Sequence, residues 1–349
     1  MARWKEALVS RQTSIREAIQ ILDKSALQIV LVVDENQRLL GTITDGDVRR
    51  GILRGLELSQ SVQEVMNPNP TVIRSEDDRE TILATMRSRG IHHMPLVDDD
   101  GRLVGLDTLD ELLQPQRKDN PVVLMAGGLG TRLRPLTADC PKPMIHVGNK
   151  PLLETIIENF LSYGFHRFYI SVNYKADVVK SYFEDGSKWG ANIQYLHETH
   201  SLGTAGALSL LPETPELPML VMNGDVLTKV NFAQLLNFHS KKQAMGTMCV
   251  REYDFQVPYG VVEIDKHRML GITEKPIQRF FVNAGIYVLD PAALQFVAQN
   301  TFFDMPTLFE KLMEKKKETI VFPVREYWLD IGQMSDYDRA NGEYKEFFP

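Results

Sequence analysis

The sequence predicts an α/β protein in two parts, a small repeated N-terminal unit and a larger unit with a mixed, mostly parallel sheet. Three observations carry this expectation. Residues 32–43 (VVDENQRLLGTI) align with residues 96–107 (LVDDDGRLVGLD) at the constant offset that carries Gly41 onto Gly105. A charged, proline-bracketed stretch, residues 114–121, reads as a linker. Beyond it, short apolar runs alternate with helical patterns, as in a sheet covered by helices.

In the repeat, the helical pattern at residues 15–19 has its counterpart at 79–83, and each copy reads as helix, strand, acidic turn, strand, helix. The apolar runs at 29–33 and 94–97 have the length and content of buried strands, and the Asp/Asn/Gly clusters after them read as hairpin turns. A unit this small buries little surface alone, so the copies (about residues 8–60 and 65–115) are expected to pack together as a domain over 1–115. Residues 116–120 then form the linker, and residues 121–349 the second domain. There, strands are expected over 122–125, 168–172, 219–222, 247–251 and 281–287. Helices are expected over 152–163, 175–184, 204–211 and 232–242, with a closing helix over 335–347.

A chain of 349 residues, 43% hydrophobic and 24% charged, is an ordinary globular composition long enough for two cores. The net charge of −7 argues against nucleic acid or a membrane surface as the main partner. Cys140 and Cys249 are too few for a disulfide framework, so a reducing compartment is expected. The first ten residues lack the apolar core of a signal peptide, and no apolar run reaches the length of a membrane span; the expected location is the cytoplasm.

The chemistry concentrates in residues 122–144. A short apolar strand runs into VVLMAGGLGTRLRPLT, followed by Pro141-Lys142-Pro143-Met144. Glycines at 127, 128 and 130 let backbone N–H groups line a concave, anion-binding surface. Arg132, Arg134 and Lys142 add positive charge. No Gly-Lys-Ser/Thr closes the loop, so it is not a Walker A motif, and Leu133 stands where a dinucleotide fingerprint needs its third glycine. The stretch resembles the sugar nucleotidyltransferases, or nucleotide-sugar pyrophosphorylases, and the resemblance extends in unbroken motif order over about residues 121–342. It implies a Rossmann-like domain that joins a nucleoside triphosphate to a sugar 1-phosphate and releases pyrophosphate.

The resemblance also implies residue roles. Arg132 and Lys142 would contact the phosphates. Asp225, in Asn223-Gly224-Asp225, and Asp330, in Trp328-Leu329-Asp330, would hold Mg²⁺. Two distant aspartates suffice for that ion, which takes few carboxylates and completes its shell with phosphate oxygens. Lys275, in Glu274-Lys275-Pro276, would grip the sugar phosphate, while Glu274, Gly260 and Asn283 would line the sugar. The nucleotide would lie against Ala126, Gly127, Gly128, Gly130 and Thr131, with Asn173, Gly203 and Thr204 on its other side. Gly203-Thr204 also reads as an ordinary helix start capped by Thr204.

The N-terminal repeat resembles a pair of cystathionine-β-synthase (CBS) motifs, a Bateman module. Such modules commonly bind adenine nucleotides, and the ribose pattern appears intact in Gly41-Thr42-Ile43-Thr44-Asp45-Gly46-Asp47. Thr44 and Asp47 would meet ribose hydroxyls, with Thr108 the equivalent of Thr44 in the second copy. That copy departs from the pattern at Asp107 and Glu111, and a ligand-free dimerisation platform is the competing reading. His92-His93, with no further ligand at metal spacing, reads as packing or surface. The fusion resembles glucosamine-1-phosphate guanylyltransferases, which favours GTP and glucosamine 1-phosphate. Mannose or heptose 1-phosphate with GTP, or a uridylyl or thymidylyl transfer, stay open, as does an inactive CBS-sensing scaffold. Both families form several kinds of homo-oligomer, so an oligomer of unspecified size is expected.

Overall fold

A computed structural model of the chain describes residues 3–128 and 130–348. It divides into two compact units, Met1–Pro115 and Gln116–Pro349.

In the first unit, β1 (Leu8–Val9) pairs in parallel with β2 (Ile29–Val33), which pairs antiparallel with β3 (Leu39–Thr44). Helix α1 (Ile15–Ser25) begins at a reciprocal capping box, in which the Ser14 hydroxyl accepts from Glu17 N–H and Glu17 accepts from Ser14 N–H. Helix α2 (Asp45–Leu53) follows β3 directly, and at its start Asp47 accepts from both the N–H and the hydroxyl of Thr44. The second copy repeats the plan with α3 (Arg79–Arg89), the antiparallel pair β4 (His93–Val97) and β5 (Leu103–Thr108), and the short α4 (Leu109–Leu113). Bridges between Arg38 and Arg102 and between Ile73 and Leu96 tie the unit together. Leu103 of the second copy is buried with Leu31 and Ile29 of the first, so the copies share a core that neither holds alone.

The second unit opens with β6 (Val122–Met125), the short hairpin β7 (His146–Val147) and β8 (Lys150–Pro151), α5 (Leu152–Leu161) and β9 (Arg167–Val172). Then come α6 (Ala176–Phe183), β10 (Asn192–His197), α7 (Gly203–Gly206), β11 (Met219–Asn223), β12 (Val226–Thr228) and α8 (Phe232–Lys242). The chain ends with β13 (Gly246–Gln256), β14 (Val261–Asp265), β15 (Arg268–Thr273), β16 (Ile277–Leu289), α9 (Met305–Glu314), β17 (Thr319–Val324), β18 (Trp328–Asp330) and α10 (Met334–Phe347). Among the described residues the central sheet has seven strands in the order β10-β9-β6-β11-β16-β13-β17. β16 alone runs against its neighbours; the other pairings are parallel. This is the mixed, largely parallel sheet expected. Its core strands are apolar runs because both faces are covered. One face packs, through Phe168 of β9, against Phe160 of α5 and Phe232 of α8, with Phe160 stacked on Phe232 at 3.8 Å between ring centroids. The other packs against Met305, Leu308 and Leu312 of α9.

The differences from expectation have local causes. The helix expected over 175–184 is shorter because Lys175 (φ 50°) and Glu184 (φ 48°) lie in the left-handed region, outside a right-handed helix. The helix expected over 204–211 is one α-turn, Gly203–Gly206, continued as a 3-10 turn over Ala207–Leu210. The strand expected over 281–287 extends over Ile277–Leu289, because its first residues pair with the distal half of β13 rather than enter the core.

Candidate active site and a second cavity

The second unit holds a cavity of about 490 Å³ at the carboxyl ends of β6 and β11, where an α/β sheet places its ligands. Its floor is the glycine loop, with Gly127, Gly128, Gly130 and Thr131 on the lining. Gly130 sits at φ +62°, and a Cβ there would stand 2.8 Å from Thr137 Cγ2 and 3.0 Å from Lys142 Cβ. Only glycine meets both demands. The buried Leu133 anchors the 3-10 turn Thr131–Leu133 and leaves Arg132 exposed on the cavity wall.

Lys142 reaches the cavity from the Pro141-Lys142-Pro143 turn, only 8% exposed, and its Nζ donates to Asp225 Oδ2 at 2.5 Å. Asp225 is set by the Asn223-Gly224-Asp225 turn. There Gly224 N–H donates to Met125 O at 2.9 Å, and a Cβ on Gly224 would lie 2.8 Å from that same oxygen. The antiparallel pairing of β12 with β18 places Val226 opposite Asp330, and Ile331 N–H donates to Asp225 O at 3.0 Å. The two aspartates thus become neighbours. Asp330 keeps a solvent-exposed face, yet partial burial and then the Asp225 charge push its carboxyl above the usual range, against the pull of Lys142 and Arg132. Gly332 completes this wall, within 3.8 Å of Arg132 Nη1 as measured from where a Cβ would stand.

This donor set suits Mg²⁺. The ion takes oxygen ligands, needs few of them from protein, and would relieve the repulsion between the two carboxylates. Among the described residues no group of three or more His, Cys, Asp or Glu forms a cage, so phosphate oxygens and water would fill the remaining positions.

Asn173, just after β9, lines the cavity; His200 and Ser201 also line it and were not singled out by motif. Gly203 and Thr204 are not on the lining. Thr204 N–H donates to Asp304 Oδ1 at 3.0 Å, its hydroxyl accepts from Met305 N–H at 2.9 Å, and Gly203 (φ +77°) abuts Phe303 O, so both secure the start of α9. A residue that sequence reasoning missed is Glu198. It is 6% exposed, accepts from the Ser171 hydroxyl and from Leu202 N–H, and its Oε1 lies 2.8 Å from where a Gly127 Cβ would be. A buried carboxylate beneath a phosphate-type loop is costly without further donors, and no sequence spacing signalled it.

Gly260 and Glu274 meet, with Glu274 Oε2 2.9 Å from the glycine's missing Cβ, on the segment between β13 and β16 that also carries Lys275 (φ +47°). None of the three lines the 490 Å³ cavity. Asn283 donates to the Tyr287 hydroxyl at 2.7 Å and accepts from Gly285 N–H.

The first unit has its own cavity, about 460 Å³, lined by Thr44, Asp47, Arg50 and Asn67, with His92 and His93 on the facing copy. The two histidines therefore face this cavity rather than serving packing or surface alone; burial and the neighbouring His92 lower His93, keeping it neutral at pH 7. Asp47 accepts from Thr44 N–H and hydroxyl and pairs with Arg50 at 2.6 Å. Thr108 is away from this cavity, capping α4 through Glu111 N–H. No helix among the described residues is long and apolar enough to cross a membrane.

Residues 121–346 match the family model described as nucleotidyl transferase, and residues 5–54 and 62–114 each match the CBS domain. Similar proteins include a mannose-1-phosphate guanyltransferase of Yarrowia lipolytica, 34% identical over 235 residues, covering 62% of this chain and 61% of that protein. The mannose-1-phosphate guanylyltransferase catalytic subunit beta of Drosophila pseudoobscura pseudoobscura is 35% identical, covering 62% and 60% respectively. The chain thus spans about 60% of the length of these relatives. Among solved structures, HddC from Yersinia pseudotuberculosis complexed with GMP-PN is 27% identical with a TM-score of 0.51, over 64% of this chain and 99% of that one. The chain belongs to the nucleotidyl transferase family and carries a CBS-domain pair ahead of its nucleotidyl transferase domain.

Proposed function

From that family membership, we propose that the second unit transfers a guanylyl group from GTP to a sugar 1-phosphate, with mannose 1-phosphate the first candidate. The convergence of Arg132, Lys142 and Asp225 on one glycine-floored cavity, with Asp330 brought beside Asp225 by the β12–β18 pairing, carries this reading. The preference for glucosamine 1-phosphate expected from the domain fusion gives way here, because the similar curated proteins are named for mannose 1-phosphate.

A phosphate oxygen of the sugar attacks the α-phosphorus of GTP in line; the bond to the β-phosphate oxygen breaks and pyrophosphate leaves. No protein nucleophile is needed, so positioning and charge complementarity supply the catalysis. The loop amides and Arg132 orient the β- and γ-phosphates, and Lys142, held by Asp225, faces the charge that develops at the α-phosphate. Asp225 and Asp330 would hold Mg²⁺, which supplies neutralisation of phosphate charge when bound. Lys275, Glu274, Gly260 and Asn283 form the sugar side by their match to the family motifs. Glu198 supports guanine: a carboxylate accepts only, and guanine presents adjacent N–H and NH₂ donors on one edge. In the first unit, an adenine nucleotide is the proposed occupant of the 460 Å³ cavity, its ribose against Thr44 and Asp47.

Pyrophosphate release, measured with Mg²⁺ while crossing GTP, UTP, dTTP, CTP and ATP against mannose, glucosamine, N-acetylglucosamine, glucose and manno-heptose 1-phosphates, tests this. Release confined to GTP with mannose 1-phosphate is expected. Release with another pair reassigns base or sugar, and silence from folded, Mg²⁺-loaded protein favours a scaffold.

A further inference from the structure

Thr137 is only 2% exposed and does not line the cavity, yet its hydroxyl donates at 2.8 Å to the carbonyl of Gly130, which does. The same carbonyl accepts Leu133 N–H at 3.0 Å, so both of its lone pairs are used inside the protein. In a trans peptide the C=O and the following N–H point in opposite directions. Gly130 O is aimed at a buried side chain. The N–H of Thr131, in the same peptide plane, is therefore aimed the other way, on the side where Thr131 lines the cavity. Thr131 opens the 3-10 turn Thr131–Leu133, and the N–H of a first residue has no partner within its own turn.

The two bonds to Gly130 O differ in consequence. The Leu133 bond lies within the turn and moves with it, whereas the Thr137 bond fastens the turn's first peptide to a separate segment. That segment is itself held from outside. The next carbonyl, Ala138 O, accepts the Tyr174 hydroxyl at 3.0 Å and Lys175 Nζ at 2.9 Å. Tyr174 and Lys175 follow Asn173 directly, beyond the end of β9. Lys175 lies in the left-handed region (φ +50°), a costly conformation for a residue with a side chain, and its ammonium reaches both Ala138 O and Asp139 Oδ1. A continuous run of contacts thus leads from the exit of β9 through Ala138 and Thr137 to the Gly130–Thr131 peptide.

We propose that Thr137 is a positioning residue: its hydroxyl, pinned through Ala138 to the exit of β9, turns the Gly130–Thr131 peptide so that Thr131 N–H meets the terminal phosphates of the bound nucleoside triphosphate. This deepens the reading of the cavity as a nucleotidyl-transfer site and rests on it. Thr137 itself does not touch the nucleotide. A donor aimed before the ligand arrives needs no reorganisation when it binds, and a neutral hydroxyl fixes its direction without adding charge among Arg132, Lys142 and Asp225.

Calorimetry of GTP, inorganic pyrophosphate and GMP, each with Mg²⁺, is carried out on the full chain and on Thr137→Val, Thr137→Ser and Lys175→Met, with folding checked by circular dichroism. Valine keeps the shape and removes the hydroxyl; serine keeps the hydroxyl and removes the methyl; methionine removes the ammonium that holds Ala138. Thr137→Val is expected to weaken GTP and pyrophosphate about tenfold and GMP less than about twofold, because the donor serves phosphates that GMP lacks. Thr137→Ser should stay within about twofold of wild type for all three, and Lys175→Met should weaken GTP roughly threefold with GMP unchanged. A wild type that binds neither GTP nor pyrophosphate overturns the reading of the cavity and this inference with it. A binding wild type whose folded Thr137→Val variant holds GTP equally tightly overturns the inference alone. Equal losses for GTP and GMP, or a Thr137→Ser variant as weak as Thr137→Val, also overturn it, since either reduces Thr137 to packing. Should Thr137→Val not fold, Lys175→Met decides, and an unchanged GTP affinity there overturns it.

Discussion

Replacing Lys142 with methionine removes the ammonium and keeps most of the stem, so the consequence can be worked from one ion pair. At 2.5 Å two unit charges attract by roughly 7 kcal/mol at an effective dielectric constant of about 20. Most of that is offset by removing both groups from water. Breaking a fully buried pair costs about 3–5 kcal/mol. Here the lysine side chain is 10% exposed but the aspartate 28%, so water partly solvates the carboxylate left behind. Lys142→Met should therefore destabilise the second unit by about 2 kcal/mol without Mg²⁺. Asp225→Asn in that background should cost less than it does alone, with a coupling of about 1 kcal/mol. Urea unfolding of the four species closes the cycle, and turnover of Lys142→Met should fall by about 10²–10³. A coupling indistinguishable from zero, with Lys142→Met as stable as wild type, would refute the argument that this pair organises the site.

Three further outcomes follow from individual groups. Asp330 is raised above its usual value of 3.8, first by burial and then by Asp225. A carboxyl raised by folding favours the native state fully below its unfolded value and loses that contribution as pH rises through the folded one. At pH 7 the ionised Asp330 is thus a cost, so Asp330→Asn should raise Tm there, with the gap closing on acidification below about 4, while turnover collapses; a lower Tm at pH 7 refutes the sign. Glu198→Gln should cut kcat/KM for GTP by roughly tenfold or more relative to UTP, since the amide replaces an acceptor by a donor; an unchanged GTP/UTP ratio removes Glu198 from base selection. Calorimetry of AMP, ADP, ATP and S-adenosylmethionine should show binding that Asp47→Ala weakens, and no heat from any of them reduces the first unit to a structural element.

The repeat, the glycine loop and the order of the motifs were legible because each is written in contiguous residues. Gly130 needs a left-handed backbone, Lys142 is bracketed by prolines, and the strands before Asn223 and Gly127 are unbroken apolar runs. Nothing local announces Glu198, because its meaning comes from Gly127 in the glycine loop and Ser171 on β9. The same holds for Thr204, whose motif reads as a helix start and a base contact together, while its hydrogen bonds to Asp304 and Met305 at the start of α9 depend on residues far along the chain. The amphipathic alternation of residues 261–273 implies a buried face, and only the tertiary structure leaves that face uncovered by its own domain. Sequence by itself determined the local chemistry, since backbone conformation and strand burial are set within a few residues. Tertiary structure decided which charges became neighbours: Asp225 and Asp330 meet because β12 pairs with β18, and that pairing is selected by the packing of the whole sheet.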